Sequence, residues 1–331
     1  MLEEILITAR SNPHIDPVLE VWNWQISVYL FFGGLTAGIM FFSALMQVLN
    51  KDREAPFAAN GLALLGPIVL SLGMTTLFLD LSHKLFVWRF YTTFQPTSPM
   101  SYGAWILVLF YPVSVLQILS TLRKGYPMVV SYTERVPLLP QLLNLMETYR
   151  RPIAWMALPI AVGLGVYTGI LLSAFSARPF WNTGLLGPLF LVSGLSTGAA
   201  LTALIARQHS ERQLFTRIDI GLIVAEMLVV ALMLINLSTG ARPQLEAAEK
   251  LLGGSYTMVF WGAFVAVGLL IPLLLETFEL RGLMRSAAVL APVLVLAGGY
   301  ALRVIAVDLG QETTWINYES EFNPQLLERL R

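Results

Sequence analysis

The sequence predicts an all-α integral membrane protein with eight transmembrane helices. Three observations carry that prediction. The 331 residues are 56% hydrophobic and only 13% charged, about half the charged fraction of a soluble domain. Eight apolar segments reach the roughly 20 residues needed to cross the hydrocarbon core. None alternates polar and apolar residues as a membrane β-strand does, and only a helix satisfies its own backbone inside lipid.

The segments are 22–49, 60–80, 101–122, 152–177, 184–206, 216–238, 255–275 and 286–307. The first carries YLFFGGLTAGIMF, and the second ends on Asp80 in LFLDLSHK. The third is reached through FQPTSPMSYGAW, whose prolines and serines are turn residues and whose Tyr102 and Trp105 are interface aromatics. The fourth holds Tyr167 within YTGILLS, and Arg178 is the only charge between 152 and 206. The fifth reads LFLVSGLSTGAAL, the sixth places Glu226 mid-span, the seventh is uncharged, and the eighth carries Arg303. Gly34-Leu35-Thr36-Ala37-Gly38 in the first answers Gly194-Leu195-Ser196-Thr197-Gly198 in the fifth. That match suggests two parallel four-helix repeats. Glycines four apart also serve close helix packing, and both readings stand at this level.

An even number of spans puts both termini on one side. Sorting Lys and Arg by connection gives twelve on one side, including Lys51, Arg123, Arg150 and Arg212. The other side, with the termini, holds eight, including Lys84, Arg89, Arg178 and Arg242. The positive-inside rule then places both termini outside, where acids such as Glu3, Glu4, Glu319 and Glu321 also fall. The first twenty residues lack the basic flank and apolar centre of a signal peptide, so insertion is assigned to the first span.

Composition also narrows the chemistry. A net charge of zero without a basic cluster argues against nucleic acid as a partner. The absence of cysteine removes disulfides, iron–sulfur clusters and thiolate metal sites from this chain. His14, His83 and His209 all lie outside the spans, so no facing pair is placed to ligate a membrane haem. Neither a phosphate-binding GxxxxGK[ST] loop nor a zinc-type histidine pair occurs. The expectation is a chain without haem, cluster or metal of its own, in which any redox role uses a diffusible cofactor and a second protein.

The polar groups within or beside the spans are the candidate functional residues. A mid-membrane carboxylate such as Glu226 costs roughly 2.5–3.5 kcal/mol to insert, so it needs a proton, a partner or a cavity. It is either a protonated acid bonded to a neighbouring helix or a station on a proton path. Asp80 and His83, one turn apart at a boundary, make an interfacial ion pair or a proton acceptor beside a bound ligand. Tyr167 is an interface aromatic or a hydrogen-bonding group inside the span.

Taken together, FQPTSPMSYGAW, YTGILLS, RPFWNT and SGLSTGAAL resemble the NrfD/PsrC-like family, the membrane subunits of polysulfide reductase-type respiratory complexes. The resemblance covers Trp22 to Leu201 by motif and the last third by hydropathy and helix count. It implies two four-helix bundles, 22–177 with the quinone site and 178–307, between exterior segments at 1–21 and 308–331. It implies a bacterial or archaeal cytoplasmic membrane. It further implies a menaquinone or ubiquinone site near the outer face, and an extrinsic iron–sulfur protein docked there beneath a catalytic subunit.

Carried over by motif, Tyr167 hydrogen-bonds a quinone oxygen, Asp80 takes the proton with His83 beside it, and Asn23, Gln25, Tyr29, Gly34 and Arg178 complete the cofactor contacts. Thr97, Ser98, Pro99 and Ser101 form the docking element. DLSHKLF departs from the commoner DLG-(Arg/Lys)-P pattern, and Ile26 stands where some relatives have a polar residue. A proton-coupled transporter using Glu226, or a passive anchor without a quinone site, are the alternatives.

Overall fold

The computed structural model describes residues 21–133, 135–284 and 287–314. The flanking segments expected at 1–21 and 308–331 thus lie mostly outside the described residues, as do Glu3, Glu4, Glu319 and Glu321. Eight helices are long and apolar enough to cross a membrane. They are α1 Trp24–Val48, α2 Leu65–Asp80, α3 Pro99–Gly125, α4 Arg150–Ser173, α5 Leu186–Ile205 and α6 His209–Ser238. The seventh, α7, is π-helical over Met258–Leu270 and α-helical over Ile271–Leu280, and α8 is Ala287–Glu312. No strand occurs among the described residues.

Several boundaries move outward from the hydropathy limits. α6 begins at His209 rather than 216, because its first turns are polar and project past the apolar core. α7 continues to Leu280 rather than 275 and so takes in Glu276. Its change of winding falls at Pro272, whose missing N–H removes a bond from the ladder. α8 runs to Glu312, so residues 308–312 belong to the last span and not to a tail.

The two halves repeat one packing pattern. α1 packs on α2 and α4, and α3 on α4; α5 packs on α6 and α8, and α7 on α8. The halves join through α1 on α5, α4 on α5 and α1 on α8. The two glycine motifs meet each other at this seam. A Cβ on Gly38 would lie 2.3 Å from the Gly194 carbonyl oxygen, and one on Gly198 would lie 2.6 Å from Gly38 Cα. Backbone approach of that kind holds helices together in lipid, where the hydrophobic effect does not. The outward faces are apolar, with Leu72, Leu109, Leu228 and Leu274 among the exposed side chains.

Chain direction defines two membrane faces. The near face carries the starts of the odd-numbered helices and the ends of the even-numbered ones; the far face carries the rest. At the far face Arg150 bonds Asp52 at 2.7 Å, the Ala59 carbonyl at 3.1 Å and Asn60 at 3.0 Å, tying α4 to the α1–α2 connection. Glu211 accepts from the amides of Phe57 and Ala58 at 3.3 and 2.7 Å, capping the short helix Pro56–Asn60 from α6.

At the near face the RPFWNT stretch packs under α8. Trp181 Nε1 donates to the Ala306 carbonyl at 2.6 Å, and Arg178 donates to the carbonyls of Gln311 and Thr313 at 3.2 and 3.1 Å. A cation on the last carbonyls of a helix complements its dipole. Arg178, carried over as a cofactor contact, is buried at this helix end instead. Gly34, likewise carried over, faces Arg303 and Gly194 at the seam between the halves.

Candidate functional site

α2 and α3 touch little, and the space they leave is a cavity of about 350 Å³ at the near-face end of α1–α4. α1 supplies Tyr29, α2 Met74, Leu77 and Phe78, α3 Met100, Ala104 and Leu107, and α4 Tyr167 and Leu171. The α2–α3 connection covers it with Leu81, Val87, Phe90 and Tyr91. All lining side chains except the three tyrosines are Met, Leu, Phe, Val or Ala.

Tyr29 and Tyr167 are 5% and 7% exposed, and both line the cavity wall. Both sit about 8–9 Å from the near-face ends of their helices, at 1.5 Å per residue. Each phenol can donate a hydrogen bond to a ligand or accept one from it. Tyr91, in the short helix Trp88–Thr92, lines the same cavity. Burial, helped by Tyr111, pushes the Tyr91 phenol above its usual value, so it is a neutral hydrogen-bonding group at any ordinary pH.

The sequence motifs explain the geometry. A Cβ at Gly103 of SYGAW would fall 1.7 Å from Tyr167 Cζ, so the glycine makes room for the ring. A Cβ at Gly169 of YTG would fall 2.3 Å from the Leu186 carbonyl oxygen, so that glycine seats α4 against the start of α5. The TSPMS turn is closed by its own bonds. The Gln95 amide donates to Ser101 Oγ at 2.9 Å, Gln95 Nε2 to Thr97 Oγ1 at 2.9 Å, and the Tyr102 hydroxyl to the Pro96 carbonyl at 2.6 Å. Phe94 meets Tyr102 and Trp105 edge-on at 6.0 and 5.7 Å. Pro99 opens α3 with Ser98 at its N-cap.

The candidate residues divide by position. Tyr29 and Tyr167 line the cavity. Gln25, one turn before Tyr29 on α1, is half-buried with an Oε1 that has no hydrogen-bond partner. Asn23 is exposed just before α1. Asp80 is half-buried at the end of α2, next to cavity residue Leu81, and His83 is exposed. Thr97 is exposed, Ser98 and Pro99 are half-buried, and Ser101 is buried inside the turn it closes. Glu226 is remote from the cavity, buried in α6 beside Ser193 and Arg303. Sequence reasoning passed over Tyr91. Its signal was the aromatic run VWRFY between two spans, which reads as interface decoration until the connection is seen folded over the cavity.

Comparison with known proteins follows the same outline. The sequence model of a family described as "Polysulphide reductase, NrfD" matches residues 11–314. The chain is 30% identical over 318 residues to Protein NrfD of Escherichia coli (strain K12), covering 93% of this chain and 99% of that one. It is 28% identical over 307 residues to the C component of polysulfide reductase from Wolinella succinogenes, covering 88% and 94%. The C component of selenate reductase from Mesobacillus selenatarsenatis is 25% identical over 346 residues, covering 93% and 80%. The match runs through the last third, where motifs alone gave only hydropathy and helix count.

Proposed function

Because the chain belongs to the NrfD family of reductase membrane subunits, we propose that its near-face cavity binds a quinone and that the protein exchanges electrons with an extrinsic iron–sulfur partner. The observation that carries this reading is the pair of buried phenols, Tyr29 and Tyr167, on the wall of an otherwise apolar cavity. A quinone ring with a lipid-soluble tail fits such a lining: apolar walls for the ring and tail, and a hydroxyl pair for an oxygen. When bound, the quinone supplies two-electron, two-proton chemistry.

The residues then have distinct tasks. Tyr167 and Tyr29 hold one ring oxygen, donating to it or accepting from its hydroxyl, so the same pair serves both redox states. Tyr91 and the rest of the α2–α3 connection keep bulk water from the ring. Asp80 ends the helix whose last turns wall the cavity, and it takes the proton at the near face, with His83 one turn further toward water. The compact turn with exposed Thr97 at its tip, together with Ser98 and Pro99, presents the docking surface, and the buried Ser101 hydroxyl fixes its shape. Relatives named as the C components of reductases support a multi-subunit assembly here, with the near face outward as the charge asymmetry suggests.

The test is Tyr167→Phe in the assembled complex. Removing the hydroxyl keeps the ring in its Gly103 niche but leaves a buried oxygen unpaired, a loss of roughly 1–3 kcal/mol. That corresponds to about a 5- to 150-fold loss at limiting quinone. Turnover of the catalytic subunit with artificial donors is expected to survive. Unchanged quinone-linked rates would place the site elsewhere.

A further inference from the structure

The far-face ends of α6, α7 and α8 enclose a recess of about 610 Å³ that the quinone reading does not use. That volume falls within the roughly 300–1,000 Å³ of ligand sites. His209 and Arg212 line it from the start of α6, Glu279 from the last turn of α7, and Arg281 from the turn that follows. Because α6 and α7 run past the apolar core here, the recess lies at the depth of the far-face lipid headgroups.

The charges that line it are not matched to one another. Among the described residues no ion pair involves Arg212, Glu279 or Arg281. Arg212 is half-buried; its Nη2 donates to the Ala206 carbonyl at 3.2 Å, and its Nε has no hydrogen-bond partner. Glu211, the acid in the first turn of α6, is committed to the amides of Phe57 and Ala58. The recess therefore presents two guanidinium groups and one carboxyl to whatever enters it.

The turn that carries Arg281 has a fixed shape. Gly282 takes φ +73°, a left-handed conformation that glycine adopts without strain. Its amide donates to the Glu279 carbonyl at 2.8 Å, and that of Leu283 to the Phe278 carbonyl at 2.9 Å, which closes the end of α7. Arg281 then stands on the same face of α7 as Phe278 and Leu274, three and seven residues earlier. Those two side chains are 38% and 57% exposed, so an apolar strip open to lipid leads along α7 to a guanidinium. Leu280, Met284 and Ala288 add apolar surface to the recess itself.

We propose that this recess binds the headgroup of a membrane phospholipid that carries a primary amine. Arg212 and Arg281 take the phosphate, Glu279 takes the ammonium, and an acyl chain lies along Leu274 and Phe278. Charge complementarity selects the headgroup. An anionic lipid would set a second negative charge beside the Glu279 carboxyl, whereas a zwitterion meets both signs. Guanidinium groups suit the phosphate because their planar forks bond two of its oxygens at once. The apolar strip selects a lipid over a phosphate from solution. The inference goes beyond the quinone reading and uses none of its residues.

The test adds lipids of one chain type to the delipidated complex and reads bound lipid by native mass spectrometry. Dioleoyl phosphatidylethanolamine is expected to bind about 10-fold more tightly than dioleoyl phosphatidylglycerol, the scale of one charge-assisted hydrogen bond. Arg212→Gln and Arg281→Gln should each weaken the ethanolamine lipid by about 10-fold or more, and Arg281→Lys should restore part of the loss. Glu279→Gln should erase the preference between the two lipids. Equal binding of both lipids by the wild type, or unchanged binding in both arginine variants, overturns the proposal. Displacement of the lipid by excess inorganic phosphate also overturns it, because the site would then draw its phosphate from solution.

A phosphatidylethanolamine with a photoreactive acyl chain gives the location in the wild-type complex. Labelled peptides should cover Leu274–Phe278, and unlabelled phosphatidylethanolamine should compete better than phosphatidylglycerol. Labelling spread evenly over the lipid-facing helices, or labelling of that segment that the ethanolamine lipid does not compete, overturns the proposal. Neither readout needs turnover. Failure of the quinone reading would leave this one standing, and its own failure would leave the quinone reading untouched.

Discussion

Tyr167 owes its position to an atom that is missing from another helix. With no side chain at Gly103, the ring lies against the α3 backbone with its hydroxyl on the cavity wall. Gly103→Ala is therefore expected to displace the ring and to mimic Tyr167→Phe, with a loss in quinone-linked turnover of about 5- to 150-fold and normal assembly. Tyr29→Phe should weaken turnover similarly. Because the proposed site sets both hydroxyls on one quinone oxygen, Tyr29→Phe with Tyr167→Phe should lose less than the sum of the singles, the non-additivity expected of groups that share a partner. At this scale the sequence made legible the position of a residue such as Tyr167, a tyrosine inside a span that comes to line the cavity. It did not reveal roles set by distant partners. Arg178 reads as a lone near-face charge and turns out to cap α8, and Asp219 was passed over because Ser196, which bonds it, lies on another helix.

Among the elements, the crossing of α1 and α5 is where the glycine motifs act. Gly38→Val would drive a branched side chain into the Gly194 backbone, which has nowhere to move. The expected cost is at least about 1–3 kcal/mol, seen as a lower thermal midpoint and poorer yield in detergent. Helix existence and order were legible from hydropathy, since lipid imposes length and apolarity on each span. The far-face ends were not, because α6 and α7 extend past the apolar core on polar turns. Those turns hold Arg212 and Glu276, so a window of hydrophobicity cuts them off.

The tie of α4 to the α1–α2 connection gives a pH test at the same scale. Burial alone would raise the Asp52 carboxyl, but the bond and charge of Arg150, with Lys124 and Asn60, hold it below its usual 3.8. A carboxyl depressed on folding contributes stability above its unfolded value and loses it as pH falls through the folded one. Asp52→Asn should thus lower thermal stability by about 0.5–1 kcal/mol at neutral pH. The difference from wild type should vanish in acid below pH of about 3–4. A difference that persists in acid would assign the effect to packing.

In the whole molecule, one packing pattern is used twice for two tasks. α1–α4 leave a gap between α2 and α3 that is apolar and covered at the near face by their connection, whereas α5–α8 close around acids and a guanidinium. The match between the two glycine motifs suggested a repeat, but neither it nor the composition of the chain indicated which half holds the buried acids. Cross-links from the iron–sulfur partner are expected on the 81–98 connection and the Thr97 turn; cross-links on the 126–149 connection would invert the assigned topology. The central claim is that a quinone occupies the tyrosine-lined cavity, and a photoreactive quinone analogue bound to the purified complex tests it most directly. The expected result is labelled peptides from Met74–Leu81, Met100–Leu107 and Tyr167–Leu171, competed by unlabelled quinone and reduced in Tyr167→Phe. Competable labelling confined to α5–α8, or to another subunit, would contradict it.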